Sequence, residues 1–460
     1  MNKKTNKYQV GSLKENVHKF LDLSALSTSS VAPAFSIAAS YGVIAYYLGF
    51  YSIMGIIIVF PIYLFASLLF RRFNKLFPNA GASYHWGNKI VSKKYGSFQA
   101  WVITLAYFFS IPPIIIPAGE YTDVLLYNMG IINYSTYISD YTVFIIGSFW
   151  VLITIIASIL GARPTARLTE LFLFIEIFII SLFIVIALFY LPGHIVNSIN
   201  FKWYFNLNAI FKKPYSFMLA FPIIATIMDG WEIDSYASEE SSNKTKWPGT
   251  TGIIGFIFVF IIYIVTMTLM DAETPMKLLS ISIDPLATWS QYIFPRYSFI
   301  MDIAVISSTA SSLWLTTYIL SRAWYAMTRD KLFPNLFGYT HKKYGTPWSN
   351  LILIAISAEA INSLMLFLPS LENFFAELLS ISGIFLMLEF AIDSFTGIYL
   401  YIYKPSRNPY LRYYYILIAI IAFVGFSTMI VFGLITNIMF IIVIIILMLP
   451  AILLLKKSYK

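Results

Sequence analysis

The sequence contains no cysteine and only four histidines among its 460 residues. Disulfide scaffolds, thiolate metal sites and cysteine nucleophiles are therefore excluded. His18, His85, His194 and His341 fall far apart, in the N-terminal tail or in predicted loops, so neither a histidine metal centre nor a nucleophile–base pair of a membrane enzyme is expected. The chain also lacks a Gly-Lys-Ser/Thr phosphate loop, which argues against an ATP-driven motor. Charge is scarce too: Asp, Glu, Lys and Arg make up 12%, where soluble proteins carry about 25%. Apolar residues fill the gap, at 59%. A helix needs about 20 apolar residues to cross a bilayer, so twelve crossings would take roughly 240 positions and leave only loops and tails. The composition predicts an all-α polytopic membrane protein.

Hydropathy puts twelve spans near residues 23–48, 50–70, 97–120, 141–160, 169–191, 214–238, 250–271, 299–324, 350–368, 373–402, 411–434 and 436–455. The opening residues are polar and basic, without an apolar leader core or cleavage site, so the first span is expected to stay as a signal anchor. With the N-terminus in the cytoplasm, 26 of the 31 Lys and Arg fall on the inner side; only Lys202, Lys212, Lys213, Lys277 and Arg296 fall outside. That asymmetry predicts two cytoplasmic termini. The net charge of +9 is thus a topology signal, and with no accessible basic domain nucleic acid is not an expected partner. The expected partners are the lipid bilayer and a small molecule.

Backbone polar groups in lipid must be satisfied within their own helix unless the chain lines a protein cavity. Two spans strain that rule. Residues 23–33 form a polar run with Ser27, Thr28, Ser29 and Ser30, ended by Pro33, which has no backbone donor. Span six holds Phe221-Pro222 and then Met228, Asp229, Gly230, Trp231, Glu232 and Asp234, three carboxylates within six residues. Ordinary proline kinks would explain either break alone. Each break, however, opens a five-helix half, and interrupted segments at matching positions of two halves point to a carrier site near the midplane. A half-helix N-terminus offers N–H groups to a carboxylate, while unwound carbonyls and acids accept from an ammonium group. A zwitterionic amino acid has both.

Gly230-Trp231-Glu232, Glu239-Glu240 and Asn243 resemble the sixth-helix signature of amino acid–polyamine–organocation permeases, in which Gly-Phe-Glu precedes two acids and then Asn-Pro and a basic residue. Ser321-Arg322, Arg329-Asp330, Pro334, Lys342-Lys343, Gly345 and Pro347 are similar to the loop after helix eight of the same family, and Trp101 and Tyr107 give a weaker match in span three. The resemblance runs over roughly residues 20–400. It implies a five-plus-five inverted repeat of the leucine-transporter type with two further helices. The parts would be a cytoplasmic tail at 1–22, repeats at 23–192 and 193–402, and two helices with a short tail at 403–460. It also implies secondary transport of amino acids or related amines, with no cofactor. In such permeases the first break holds the substrate carboxylate and the sixth-helix break the amino group. This implicates Ser27, Thr28, Ser29, Ser30 and Val31, with Met228, Asp229, Gly230, Trp231, Glu232 and Tyr107. Trp231 would be a gate or, on the plainer reading, a packing residue. The chain departs from the family in having hydroxyl residues where Gly-Ser-Gly is usual and Lys244 where proline is usual.

Some proton-coupled members carry a lysine in helix five at the place of a sodium ion. Aligning on residues 161–167 puts Glu176 there, on the order of 10 Å into the span at 1.5 Å per residue. A carboxylate at that depth is costly unless paired. Glu176 is therefore expected to take up a coupling proton or pair with a cation, the plainer reading being a carboxyl that only bonds nearby hydroxyls. The hydroxyls Ser308, Thr309, Ser311 and Ser312 of span eight could instead ligate sodium, or simply let helices pack closely. Protons are favoured over sodium. Glu389 and Asp393, four apart on one face, form a second candidate protonatable pair. Glu359 is read as a packing residue. Glu239, Glu240, Lys244 and Lys246 read as a solvated cluster or, less plainly, a latch on the inner gate.

A non-transporting amino acid receptor on the same fold is the competing class, disfavoured by the short tail after residue 455. Three acids near the second break favour a cationic amino acid or polyamine, whereas Val31, Phe35 and Ile227 suit a neutral or aromatic side chain. Symport, exchange and oligomeric state stay open at this level.

Overall fold

The computed structural model describes residues 12–133, 139–368, 370–404, 408–436 and 438–457. Helices α1 to α8 run Phe20–Val31, Pro33–Leu48, Ser52–Leu76, Ala82–Ile90, Lys93–Ser110, Pro112–Asn128, Asp140–Ile159 and Ala162–His194. Helices α9 to α14 are Asn208–Lys212, Pro214–Ile227, Ile233–Tyr236, Thr250–Glu273, Met276–Ile281 and Pro285–Ile293. Helices α15 to α20 are Phe299–Arg329, Trp348–Asn362, Leu371–Tyr403, Pro409–Thr436, Ile438–Met448 and Ala451–Lys457. Among the described residues the only β-pairing is an isolated bridge between His18 and Ser241.

Ten helical stretches among the described residues are long and apolar enough to cross a membrane. The first, Phe20–Leu76, is 57 residues long and takes in the first two expected spans; Pro214–Ile227 is a shorter apolar helix where the sixth was expected. Long apolar side chains such as Phe149 on α7, Phe174 and Phe178 on α8 and Val424 on α18 are exposed, which suits a lipid-facing surface. The polar side chains go inward instead. Helix α15 is buried continuously from Ala304 to Thr328 and packs on α5, α6 and α8. Two histidines expected in loops are helical: His85 sits in α4 and His194 ends α8. His18, expected in a free tail, is fully buried.

Both expected breaks are present, but the first is narrower than its polar sequence implied. Residues 27–31 remain helical, and the Thr28 hydroxyl donates back along the helix to the Ser24 carbonyl at 2.8 Å. The chain leaves the helix only at Ala32, with φ 53° and ψ 66°, before Pro33 opens α2. The second break spans residues 228–232 between α10 and α11, with Gly230 at φ 104°. A Cβ added at Gly230 would lie 2.5 Å from the Ser30 carbonyl oxygen, so the two breaks touch and only glycine permits the approach.

Candidate substrate and coupling site

A cavity of about 550 Å³, including its opening, lies where the breaks meet. Of the residues singled out in the sequence, Ser30, Val31, Tyr107, Asp229, Gly230 and Ser312 line it. Asp229 carries its chemistry: Oδ1 is buried and accepts no hydrogen bond, as is the case for the Ser30 hydroxyl. A buried carboxylate oxygen without a donor is expensive to keep, so it marks a place where a donor from elsewhere fits. Ser30, Ser312 and Thr316 add hydroxyls, and Phe35, Ile319 and Leu386 an apolar wall.

Glu232 braces the break from behind. Its Oε1 accepts from the Tyr107 hydroxyl at 2.9 Å and its Oε2 from the Gly230 N–H at 3.0 Å. Met228 and Trp231 are buried outside the cavity lining. The Trp231 ring stacks on Phe390 at 5.5 Å and meets Phe70 edge-on at 5.0 Å. Ser27 and Thr28 also lie off the cavity, and the Ser29 hydroxyl donates to Ser311 at 2.8 Å, joining α1 to α15.

Glu176, from α8, reaches the first break. Its Oε1 accepts the Ala34 N–H at 2.8 Å, while the Phe35 N–H donates to the Ser308 hydroxyl of α15 at 3.1 Å. Ser308 also shares a hydrogen bond with Glu176. The first donors of α2, expected to be open to a substrate carboxylate, are thus already taken by the protein's own side chains. The other Glu176 oxygen is buried without a partner. Thr309 and Ser311 donate back along α15 to Val305 at 2.7 Å and Ser308 at 2.9 Å.

These features carry a family signature as well as a geometry. A family model described as amino acid permease matches residues 19–449. The chain belongs to the amino acid permease family. Its relatives include the branched-chain amino acid permease BcaP of Bacillus subtilis (strain 168), 21% identical over 294 residues, 62% of this chain and 61% of that protein. Another is the methylthioribose transporter of the same organism, 22% identical over 312 residues, 64% of this chain and 63% of that protein. The match therefore spans less than two thirds of either relative's length. The resemblance to amino acid–polyamine–organocation permeases agrees with these matches.

At the end of the permease where α1 begins, Glu239 and Glu240 depart from the solvated cluster first expected. Glu240 is buried and its Oε2 accepts from Arg322 Nε at 3.0 Å and from the Tyr318 hydroxyl. Val17 and His18 donate their backbone N–H groups to the Glu240 carbonyl at 2.8 and 3.0 Å, and His18 Nε2 meets the Tyr318 hydroxyl at 3.3 Å. Burial lowers the His18 pKa, opposed by Glu240 and reinforced by Arg322. Glu239 pairs with Arg329 at 2.7 Å; burial pushes its carboxyl up, but the hydrogen bonds from Arg329 and the Ala80 N–H, with the charges of Arg329 and Lys244, together outweigh that and hold it below the usual range. Sequence reading missed the Arg322 pairing, whose one available signal was Tyr318 four residues earlier on the same face. Thr316, four after Ser312, was findable by the same rule.

Glu389 and Asp393 of the permease share a face of α17 and are joined through Ser83, which hydrogen-bonds to both. Glu389 Oε1 accepts from Ser83 at 2.9 Å and Tyr236 at 2.7 Å; Asp393 Oδ1 accepts from Gln99 at 2.6 Å. The pair does not line the cavity, although Tyr236 lies edge-on to Tyr107 at 5.6 Å. Glu359 accepts from Ser148 at 3.1 Å, joining α16 to α7.

Proposed function

We propose that this permease carries an amino acid or related amine across the cytoplasmic membrane by alternating access, as a proton-coupled symporter. The observation that carries this reading is the one carboxylate oxygen of Asp229, Oδ1, left buried without a hydrogen bond in a cavity bounded by both breaks, although the same carboxyl bonds to Gly230 and Glu232. Asp229 would receive the substrate ammonium. With the α2 amides occupied, the hydroxyls of Ser30, Ser312 and Thr316 would receive its carboxylate, and the apolar wall its side chain. Tyr107 and Glu232 hold the second break in shape, while Ser27, Thr28, Ser29, Met228 and Trp231 support the two breaks from behind.

Glu176 is the proposed proton carrier. It joins α8, the start of α2 and α15, and among the described residues it has no basic partner. A charged carboxylate makes hydrogen bonds about twice as strong as a neutral one. Gain or loss of its proton would therefore change how tightly the first break is tied to α8. Sodium held by Ser308, Thr309, Ser311 and Ser312 is the alternative, disfavoured because the hydroxyls of Ser308, Thr309 and Ser311 are spent within α15 or on α2, leaving only Ser312 facing the cavity. Glu389 and Asp393 are a further proposed protonation site. The architecture that goes with this reading is twelve crossings, as two five-helix repeats at 23–192 and 193–402 plus two helices, with both termini cytoplasmic.

The test is uptake of a labelled amino acid and polyamine panel into proteoliposomes under a proton gradient, a sodium gradient, or neither. Uptake driven by the proton gradient supports the reading. A response to sodium alone, or only to preloading, overturns the symport assignment, and binding without uptake favours a receptor.

A further inference from the structure

A groove larger than the central cavity lies elsewhere on the described residues. It lies between α1, α8 and α12, with a volume of about 1,880 Å³ including the open space before it, and opens sideways onto the apolar surface. Phe20, Leu173, Phe174, Ile177, Phe178 and Phe258 form its walls. Phe174 and Phe178 are 67% and 57% exposed, with rings stacked 6.0 Å apart along α8. The starts of all three helices meet here: Arg163 of α8 donates to the Val17 carbonyl ahead of α1, and Phe20 meets Trp247 ahead of α12 at 6.3 Å. The groove thus runs from one membrane interface inward.

Its interfacial end carries charge of both signs. Asp22 and Glu170 line it and share a side-chain hydrogen bond. Lys19 lines it beside Asp22, and Arg167 stands one turn before Glu170 on α8. Such an end complements a zwitterion: a phosphodiester at the level of Lys19 and Arg167, and an ammonium group donating to the outward oxygens of the hydrogen-bonded Asp22–Glu170 pair. An acyl chain extending from it would lie along Phe174 and Phe178 and remove that apolar face from headgroup water.

We propose that this groove is a binding site for a phospholipid whose headgroup ends in a primary amine. A quaternary headgroup has the same charge but no N–H to donate to Asp22 or Glu170, and an anionic glycerol headgroup brings no cation to them. The site is independent of what the central cavity takes.

The test uses the purified full chain in detergent with phosphatidylethanolamine and its mono-, di- and trimethylated forms, all with the same acyl chains, read by native mass spectrometry. Binding should fall with each methyl group, by about tenfold across the series, as loss of a charge-assisted hydrogen bond implies. The Asp22→Asn/Glu170→Gln double variant should bind all four alike, and the exposed Arg167→Gln should weaken all four while keeping their order. Equal binding across the series by the native protein, tighter binding of phosphatidylglycerol, or an unchanged order in the double variant would overturn the proposal. If the double variant does not fold, the native series and Arg167→Gln decide the matter.

Discussion

Replacing Asp229 with asparagine separates a binding role from a structural one. The two side chains are nearly the same size, so the contact between Gly230 and Ser30 should survive. In the empty protein Asp229 Oδ1 is buried and accepts no hydrogen bond. Its hydrogen bonds to the Gly230 N–H and to Glu232 can be kept by an amide, and neutralising the side chain removes a desolvation cost at Oδ1, so the apo protein should keep or raise its thermal midpoint. With substrate present, the variant loses a hydrogen bond between two charged groups. Such bonds contribute about 1.5–3 kcal/mol, which corresponds to an affinity loss of roughly 10- to 150-fold. The assay is binding of labelled substrate to purified protein, paired with a thermal unfolding scan without substrate. Unchanged affinity would refute the assignment of the ammonium site. A large drop in the apo midpoint would refute it differently, by making Asp229 a structural residue.

Four further outcomes follow from the geometry. Glu176→Gln should abolish uptake driven by a pH gradient while retaining exchange between preloaded vesicles; unchanged gradient-driven uptake would remove Glu176 from coupling. Gly230→Ala meets a carbonyl oxygen at 2.5 Å at a positive φ, so it should destabilise the protein by about 1–3 kcal/mol and lose transport, measured by melting and uptake. Glu240→Gln leaves Arg322 buried without its counter-charge and should cost about 3–5 kcal/mol, read as a lowered thermal midpoint. His18 is held below its ordinary value of 6.5 by burial, so its docking is fully favourable above that pH and weakens as pH falls towards the lowered value. Hydrogen exchange of residues 13–19 should therefore speed up below pH 6.5, beyond the intrinsic pH dependence; no such gain, or slower exchange, would contradict it.

That the chain is helical and crosses a membrane many times was legible because length and apolarity alone decide what can cross a bilayer; ten such stretches are present among the described residues. The breaks were legible because Pro33 lacks a donor and Gly230 tolerates a positive φ, both local properties. What escaped was non-local or self-satisfied. Hydroxyls at residues 27–30 look unwound in sequence, but threonine and serine can bond back to the preceding turn and stay helical, as Thr28 does with Ser24. Glu176 was recognised as deep and costly, yet its donor Ala34 lies 142 residues away. Glu240 looked solvated because Arg322, which buries it, is 82 residues distant.

Counterflow tests the carrier claim most directly, because it needs a site that faces both sides in turn but no coupling ion. Liposomes containing the purified permease would be loaded with an unlabelled amino acid and placed in a trace of the labelled form. Alternating access predicts a transient accumulation of label above its equilibrium level, lost in the Asp229→Asn variant. Bound label without that overshoot, from folded protein and across the amino acid and polyamine panel, would contradict the account.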